Sequence, residues 1–306
     1  MFRSGSADGG DELLQRLGAL TARARELAEM QRSRVELAVA LQHGMLPRDL
    51  PRPPGVRIAV GYMPANHGLN VGGDWYDAFP MSDGRIGISI GDVQGHNAQA
   101  AAFMGQVRVA LRALASVTED PGRLLGRTND LLISLNADLF ATCTFLRLDP
   151  DTGVLECARA GHIPHIWATA DGRSGIDDGE VGPPLGVMRG AEYPVACHRL
   201  TVGGVLVLVT DGVVEGPSLH IDDGLGQVRR LAEITAGASL GIDALVGGVM
   251  KLADTVGHED DAAVLVIGHD VGVPWYPAPK LPPAPGGSSR GPGRTPSSGR
   301  SGPPGV

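Results

Sequence analysis

Four short stretches each set an aspartate against glycine or a hydrophobic run: VGGDWYD at 71 to 77, ISIGDVQGH at 88 to 96, LVLVTDGVVEG at 206 to 216 and HEDDAAVLVI at 258 to 267. Rigid strands there would fix where the side chains of Asp74, Asp92, Asp211 and Asp260 point, and the glycines would let backbone and water approach closely. Four carboxylates converging on one point repel one another, so such a cluster is stable only around divalent cations. An all-oxygen donor set favours Mg²⁺ or Mn²⁺ over zinc, which prefers nitrogen and sulfur. Two ions sharing a carboxylate can clamp a phosphate and activate a water between them. Any one of these aspartates, taken alone, reads equally well as a turn or cap residue. Together the four point to metal.

The elements that must position them follow from periodicity. Residues 11 to 46 read as one helix, with Leu13, Leu17, Leu20, Ala24 and Leu27 on one stripe that continues through Met30 to Leu37 and Leu41. That stripe suits either a short coiled coil, hence a homodimer, or a helix docked within its own chain. Pro47, Pro51, Pro53 and Pro54 end it. Strand patterns then cover 56 to 63, GGDWYDAF and RIGISIGDV, followed by an Ala-rich helix from Asn97 to Ser116 and a second helix starting near Pro121. Strands return with ATCTFLRLD, VLECARA, IPHIWAT and GVLVLVT, and helices near 226 to 236 and 241 to 256 precede the strand AAVLVIG. Strands, helices, strands, helices, strand is an α+β order rather than a repeating βαβ pattern.

The organisation expected is a helical leader at 1–46, one catalytic domain at 47–270, and a tail at 271–306. Pro, Gly and Ser dominate the tail, which offers too little apolar surface to order itself. It also holds Lys280, Arg290, Arg294 and Arg300 and no acid, so residues 1 to 270 carry more than the whole net charge of −8. An acidic body argues against nucleic acid as a partner. Cys143, Cys157 and Cys197 show no paired metal spacing and read as reduced core residues of a cytoplasmic protein. The acidic N-terminus and the strand-length apolar run at 205 to 209 support neither secretion nor a membrane span.

The order GGDWYD, GDVQGH, AGHIPHIW, GPPLGV, TDGVVE and DDAAVLVI, running from about Gln42 to His269, resembles the SpoIIE/RsbU branch of the PPM-type metal-dependent serine/threonine phosphatases. The resemblance implies a four-layer α-β-β-α sandwich of two antiparallel sheets flanked by helices, with two Mn²⁺ or Mg²⁺ ions at one end. It implies that Asp92 bridges the ions, that Asp74 lies on one side, that Asp211 and Asp260 hold the other ion, and that the Val93 carbonyl faces a metal. Asp74 and Asp92 then serve catalysis as well as binding. A hydroxide held between the ions would attack phosphorus in line with the leaving serine or threonine oxygen. The implied substrate is a phosphorylated STAS-domain antagonist of an anti-sigma factor in a partner-switching pathway. In such proteins the leading helix carries signals from a sensor domain, for which this chain has no room before the helix.

Other residues near the motifs read less simply. Asp77 and Asp261 each sit beside a proposed ligand but alternate to the other face of an extended strand, which makes Asp77 structural and Asp261 a supporting residue. His96 could donate a proton to the leaving oxygen or pack the helix beside it. His162 and His165 invite zinc by spacing, whereas the resemblance places them in a core strand and turn with no metal role. The resembled pattern continues GDVQGH with glycine; this chain has Asn97, which puts the loop geometry and the metal on that side in question. The competing reading is a non-catalytic pseudophosphatase that binds a partner, against which the intact aspartates speak. A phosphatase acting on a small phosphoester is a third.

Overall fold

The computed structural model describes residues 8–64, 72–95, 97–135, 138–217, 219–238, 240–257 and 260–269, without the side chains of 8–13 and 34–43. His96 and the tail from 271 to 306 lie outside the described residues, as do the side chains of Leu13, Leu37 and Leu41.

Two five-stranded antiparallel sheets form the centre. One runs β1 (Val56–Met63), β10 (Ala262–His269), β9 (Val205–Val209), β6 (Ile166–Ala168), β7 (Ser174–Ile176), in that spatial order. The other runs β2 (Trp75–Pro80), β3 (Ile86–Val93), β4 (Ala141–Leu148), β5 (Val154–Ala160), β8 (Val195–Arg199). The strands read as unbroken apolar runs because both faces of each sheet are covered. In β9 and β10, Val205, Val207, Val209, Val264 and Val266 pack under α5 (Ile221–Gly237) and α6 (Ile242–Val256). Their alternate neighbours Leu206, Leu208, Leu265 and Ile267 meet Ile86, Ile88, Ile90, Leu146 and Leu148 between the sheets. On the far side, Phe103, Met104, Val107 and Leu111 of α2 (Ala98–Ala115) and Leu124 and Leu125 of α3 (Pro121–Ser134) cover Trp75, Val93, Cys143 and Phe145. This is the four-layer α-β-β-α sandwich expected, and each such buried side chain contributes roughly 1.5–3 kcal/mol of transfer free energy.

The first helix, α1 (Asp8–Met45), touches this body only near its end among the described side chains. Leu46 is buried and Met45 packs against the same core, over Gly105 of α2. Leu14, Leu17, Leu20, Leu27 and Met30 are exposed. No described helix is long and apolar enough to cross a membrane.

Three local features differ from the sequence reading. The helix expected near 226 starts at Ile221, with Asp222 and Asp223 in its first turn where they complement the helix dipole. The short edge strands β7 and β8 carry too little apolar alternation to be read from sequence. Asp211 opens a four-residue helix, α4 (Asp211–Val214), instead of lying on the strand.

Candidate metal centre

Of the four motif aspartates only Asp92 is on a strand, one residue before the end of β3; Asp74 leads into β2, Asp211 follows β9, and Asp260 precedes β10. All four strand ends meet because of close backbone contacts that only glycine allows. A side chain at Gly73 would overlap the Val93 carbonyl, and one at Gly72 would overlap the Asp261 carboxylate. The Val93 amide donates to the Gly73 carbonyl at 3.3 Å, which seats Asp74 beside the Asp92–Val93 end of β3. On the other sheet the Thr210 amide donates to the Ala263 carbonyl at 3.0 Å and the Ala263 amide to Thr210 Oγ1 at 2.8 Å. That pairing brings Asp211 and Asp260 to one mouth, an open cavity of about 480 Å³ also lined by Gly212 and Glu215. Asp211 and Asp260 each accept a hydrogen bond at 2.8 Å from the following residue's amide, which orients them.

The electrostatics show that the aspartates face one another. Burial, then the charges of Asp92, Asp261 and Asp211, push the Asp74 carboxyl well above the ordinary range; the Thr210 hydroxyl works the other way but is outweighed. Burial, Asp211 and Asp260 push Asp92 up to about 8. Asp211 is raised by burial and by Asp260. Asp74 is 1% exposed, and both its carboxylate oxygens are buried without a hydrogen-bond partner. A buried oxygen pair with no donor is strongly unfavourable unless something else satisfies it. A hard divalent cation does so, and the surrounding all-oxygen donors fit one.

Asp261 departs from the sequence reading. It precedes β10, so strand alternation does not turn it away: it is fully buried, raises both Asp74 and Asp92, and accepts a hydrogen bond from the Tyr62 hydroxyl. Burial and the charges of Asp261 and Asp74 raise the Tyr62 phenol far above its usual value, so it stays a neutral donor. Sequence reasoning missed Tyr62; the Asp260–Asp261 doublet was the available signal for Asp261. Asp77 is structural, as expected: it is buried and receives Arg108 Nε at 2.9 Å and Arg112 Nη2 at 2.7 Å from α2.

Asn97 does not take the left-handed conformation its position raised. Its backbone is extended (φ −139°), the left-handed residue is Gly95 (φ 95°), and Asn97 Oδ1 caps α2 by accepting from the amides of Gln99 at 2.9 Å and Ala100 at 3.0 Å. His162 is a core residue, as expected: Nδ1 lies 2.8 Å from Thr142 Oγ1 and Nε2 3.2 Å from the Val209 carbonyl, and burial lowers its pKa to about 4. Cys143 and Cys157 are buried free thiols, the latter pushed up to about 12 by burial, while Cys197 is free and exposed.

With this geometry in place, comparison with known proteins is informative. The family model for Stage II sporulation protein E (SpoIIE) matches residues 82–270. The chain belongs to the SpoIIE family. The matched span begins after Asp74. Phosphoserine phosphatase RsbU of Bacillus subtilis is 24% identical over 248 residues, covering 79% of this chain and 72% of RsbU. The solved RsbU and RsbW domains of Rv1364c from Mycobacterium tuberculosis superpose with a TM-score of 0.68 at 30% identity, over 75% of this chain and 64% of that one. RsbX in complex with magnesium shares the fold, with a TM-score of 0.56 at 15% identity over 72% of this chain and 98% of that one. Other relatives are longer: the chain spans 40% of Protein IcfG of Synechocystis, at 28% identity over 76% of this chain. The sandwich is therefore that of the PP2C-type phosphatase domains.

Proposed function

We infer that the protein is a divalent-cation-dependent hydrolase of phosphoserine or phosphothreonine esters. The observation that carries this is the buried Asp74 carboxylate with both oxygens unpartnered beside the raised Asp92 and Asp211. Asp74, Asp92, Asp211 and Asp260, with the Val93 carbonyl, are the residues that would hold two ions, Mn²⁺ or Mg²⁺. When bound, such ions act as Lewis acids on phosphoryl oxygens and make water nucleophilic near neutral pH. Asp92 feels the charges of Asp211, Asp260 and Asp261 and acts on Asp74, so it is suited to be shared. Asp261, fixed by Tyr62, holds the interior side of the site without facing the mouth. The mouth at Asp211 and Asp260 is open enough to admit a phosphorylated side chain projecting from a protein loop. A STAS-domain antagonist of an anti-sigma factor is the substrate this reading favours, given relatives named phosphoserine phosphatases.

The test sets a small aryl phosphate beside a phosphorylated STAS-domain protein, each with and without Mn²⁺. Metal-dependent turnover of the protein substrate, lost in Asp92→Asn and Asp211→Asn chains that remain folded, supports the reading. Metal binding without turnover of either substrate would leave a binding module instead, and turnover in excess EDTA would overturn the metal assignment.

A further inference from the structure

Three polar side chains on segments that carry none of the aspartates converge where the edges of the two sheets meet. His165 immediately precedes β6, Asp177 immediately follows β7, and His198 lies on β8. Thus two come from one sheet and one from the other. Among the described residues, their donor atoms form a group of three that all lie within 4.8 Å of one another.

The spacing is not that of hydrogen bonds. His165 Nδ1 and His198 Nε2 lie 3.4 Å and 3.7 Å from Asp177 Oδ2, beyond the ordinary N–H···O range of about 2.7–3.2 Å. Both nitrogens are buried and neither has a hydrogen-bond partner. Two ligands held at about 2.0–2.1 Å by a tetrahedral ion stand about 3.3 Å apart. The two His–Asp gaps lie close to that separation.

The trio is also held in place before anything binds. The Asp177 amide donates to the His165 carbonyl at 2.9 Å, and Asp177 Oδ1 accepts from the Gly179 amide at 3.1 Å, which leaves Oδ2 directed at the two rings. The rings meet edge to face with centroids 5.2 Å apart. The His165 side chain is 1% exposed, Asp177 15% and His198 34%, so one side is sealed and the other open. A cavity of about 250 Å³, lined by His165 and His198 with Leu155 and Trp167, adjoins the two rings.

We propose that His165, Asp177 and His198 form a second cation site, separate from the aspartate centre, that takes a borderline divalent ion such as Zn²⁺. Two imidazoles and one carboxylate select such an ion over Mg²⁺ or Mn²⁺. An ion there would tie the short strands β6 and β7 of one sheet to β8 of the other.

The full chain is stripped with EDTA and titrated with Zn²⁺ alone by calorimetry, in an Asp92→Asn, Asp211→Asn background that disables the aspartate centre. One Zn²⁺ per chain is expected, and Co²⁺ in its place should give the intense visible absorption of tetrahedral coordination. Adding His198→Ala or Asp177→Asn should weaken Zn²⁺ binding by more than about 100-fold and abolish the Co²⁺ band; loss of a mere orienting neighbour weakens a site by about 10–100-fold. If His198→Ala does not fold, the isosteric Asp177→Asn decides. Absence of stoichiometric Zn²⁺ binding, or binding unchanged by these substitutions, overturns the proposal.

Discussion

Asp92→Asn should make the metal-free protein more stable while removing its turnover. Asp92 is pushed from the ordinary 3.8 up to about 8, first by burial and then by Asp211 and Asp260. A group whose folded pKa is raised stabilises the fold fully below its unfolded pKa, and that stability is lost as pH rises through the folded pKa. For Asp92 the window runs from about pH 4 to about pH 8. At pH 7 roughly three units separate the two states, and each unit is about 1.4 kcal/mol. At pH 7 the folded Asp92 is mostly protonated, and keeping that proton costs about 4 kcal/mol if the site stays dry, and about 1 kcal/mol if water enters or Asp74 shares the proton. Asparagine needs no such proton, and its amide can donate to the buried Asp74. With a urea dependence of about 3 kcal/mol per molar for a domain of this size, the unfolding midpoint in EDTA should rise by roughly 0.3–1.3 M at pH 7. Near pH 4 the gain should vanish, because the unfolded chain then holds that proton as well. Saturating Mn²⁺ should reverse the order, since binding to the native state stabilises only the chain that binds. An equal or lower midpoint for the variant at pH 7, or the same gain at both pH values, would refute the reasoning.

Other perturbations probe separate parts of the same architecture. Asn97→Ala should lower stability by about 1 kcal/mol and Asn97→Gly by only a few tenths, read by urea unfolding, because the side chain caps α2. Tyr62→Phe leaves the buried Asp261 short of a donor and should cost about 1–3 kcal/mol in the melting transition, with weaker Mn²⁺ binding by calorimetry. Removing residues 1 to 40 takes away the exposed Leu14, Leu17, Leu20, Leu27 and Met30. It should lower the number of chains per particle seen by light scattering while leaving hydrolysis of a small aryl phosphate measurable. An unchanged number of chains per particle and unchanged rates on small and protein substrates would make α1 a passive leader.

What the amino-acid sequence determined was set by local rules. Val205 to Val209 and Ala262 to Ile267 could be recognised as strands because burial on both faces demands apolar residues at every position. Asp74, Asp92, Asp211 and Asp260 stood out because a carboxylate at a strand end, beside glycine or a second carboxylate, is poorly suited to packing and well suited to a ligand. Only tertiary structure decided the rest. Asp261 joins the cluster because Gly72 leaves space for its carboxylate and Tyr62 reaches it from another strand, neither of which a period of two can foresee. Asn97 became a cap because the chain enters α2 in an extended conformation, so its side chain, rather than its tolerance of left-handed geometry, matters. His165, Asp177 and His198 show no motif spacing at all; they are neighbours because β6, β7 and β8 stack at one edge of the sandwich, and convergence between sheets leaves no trace in local sequence.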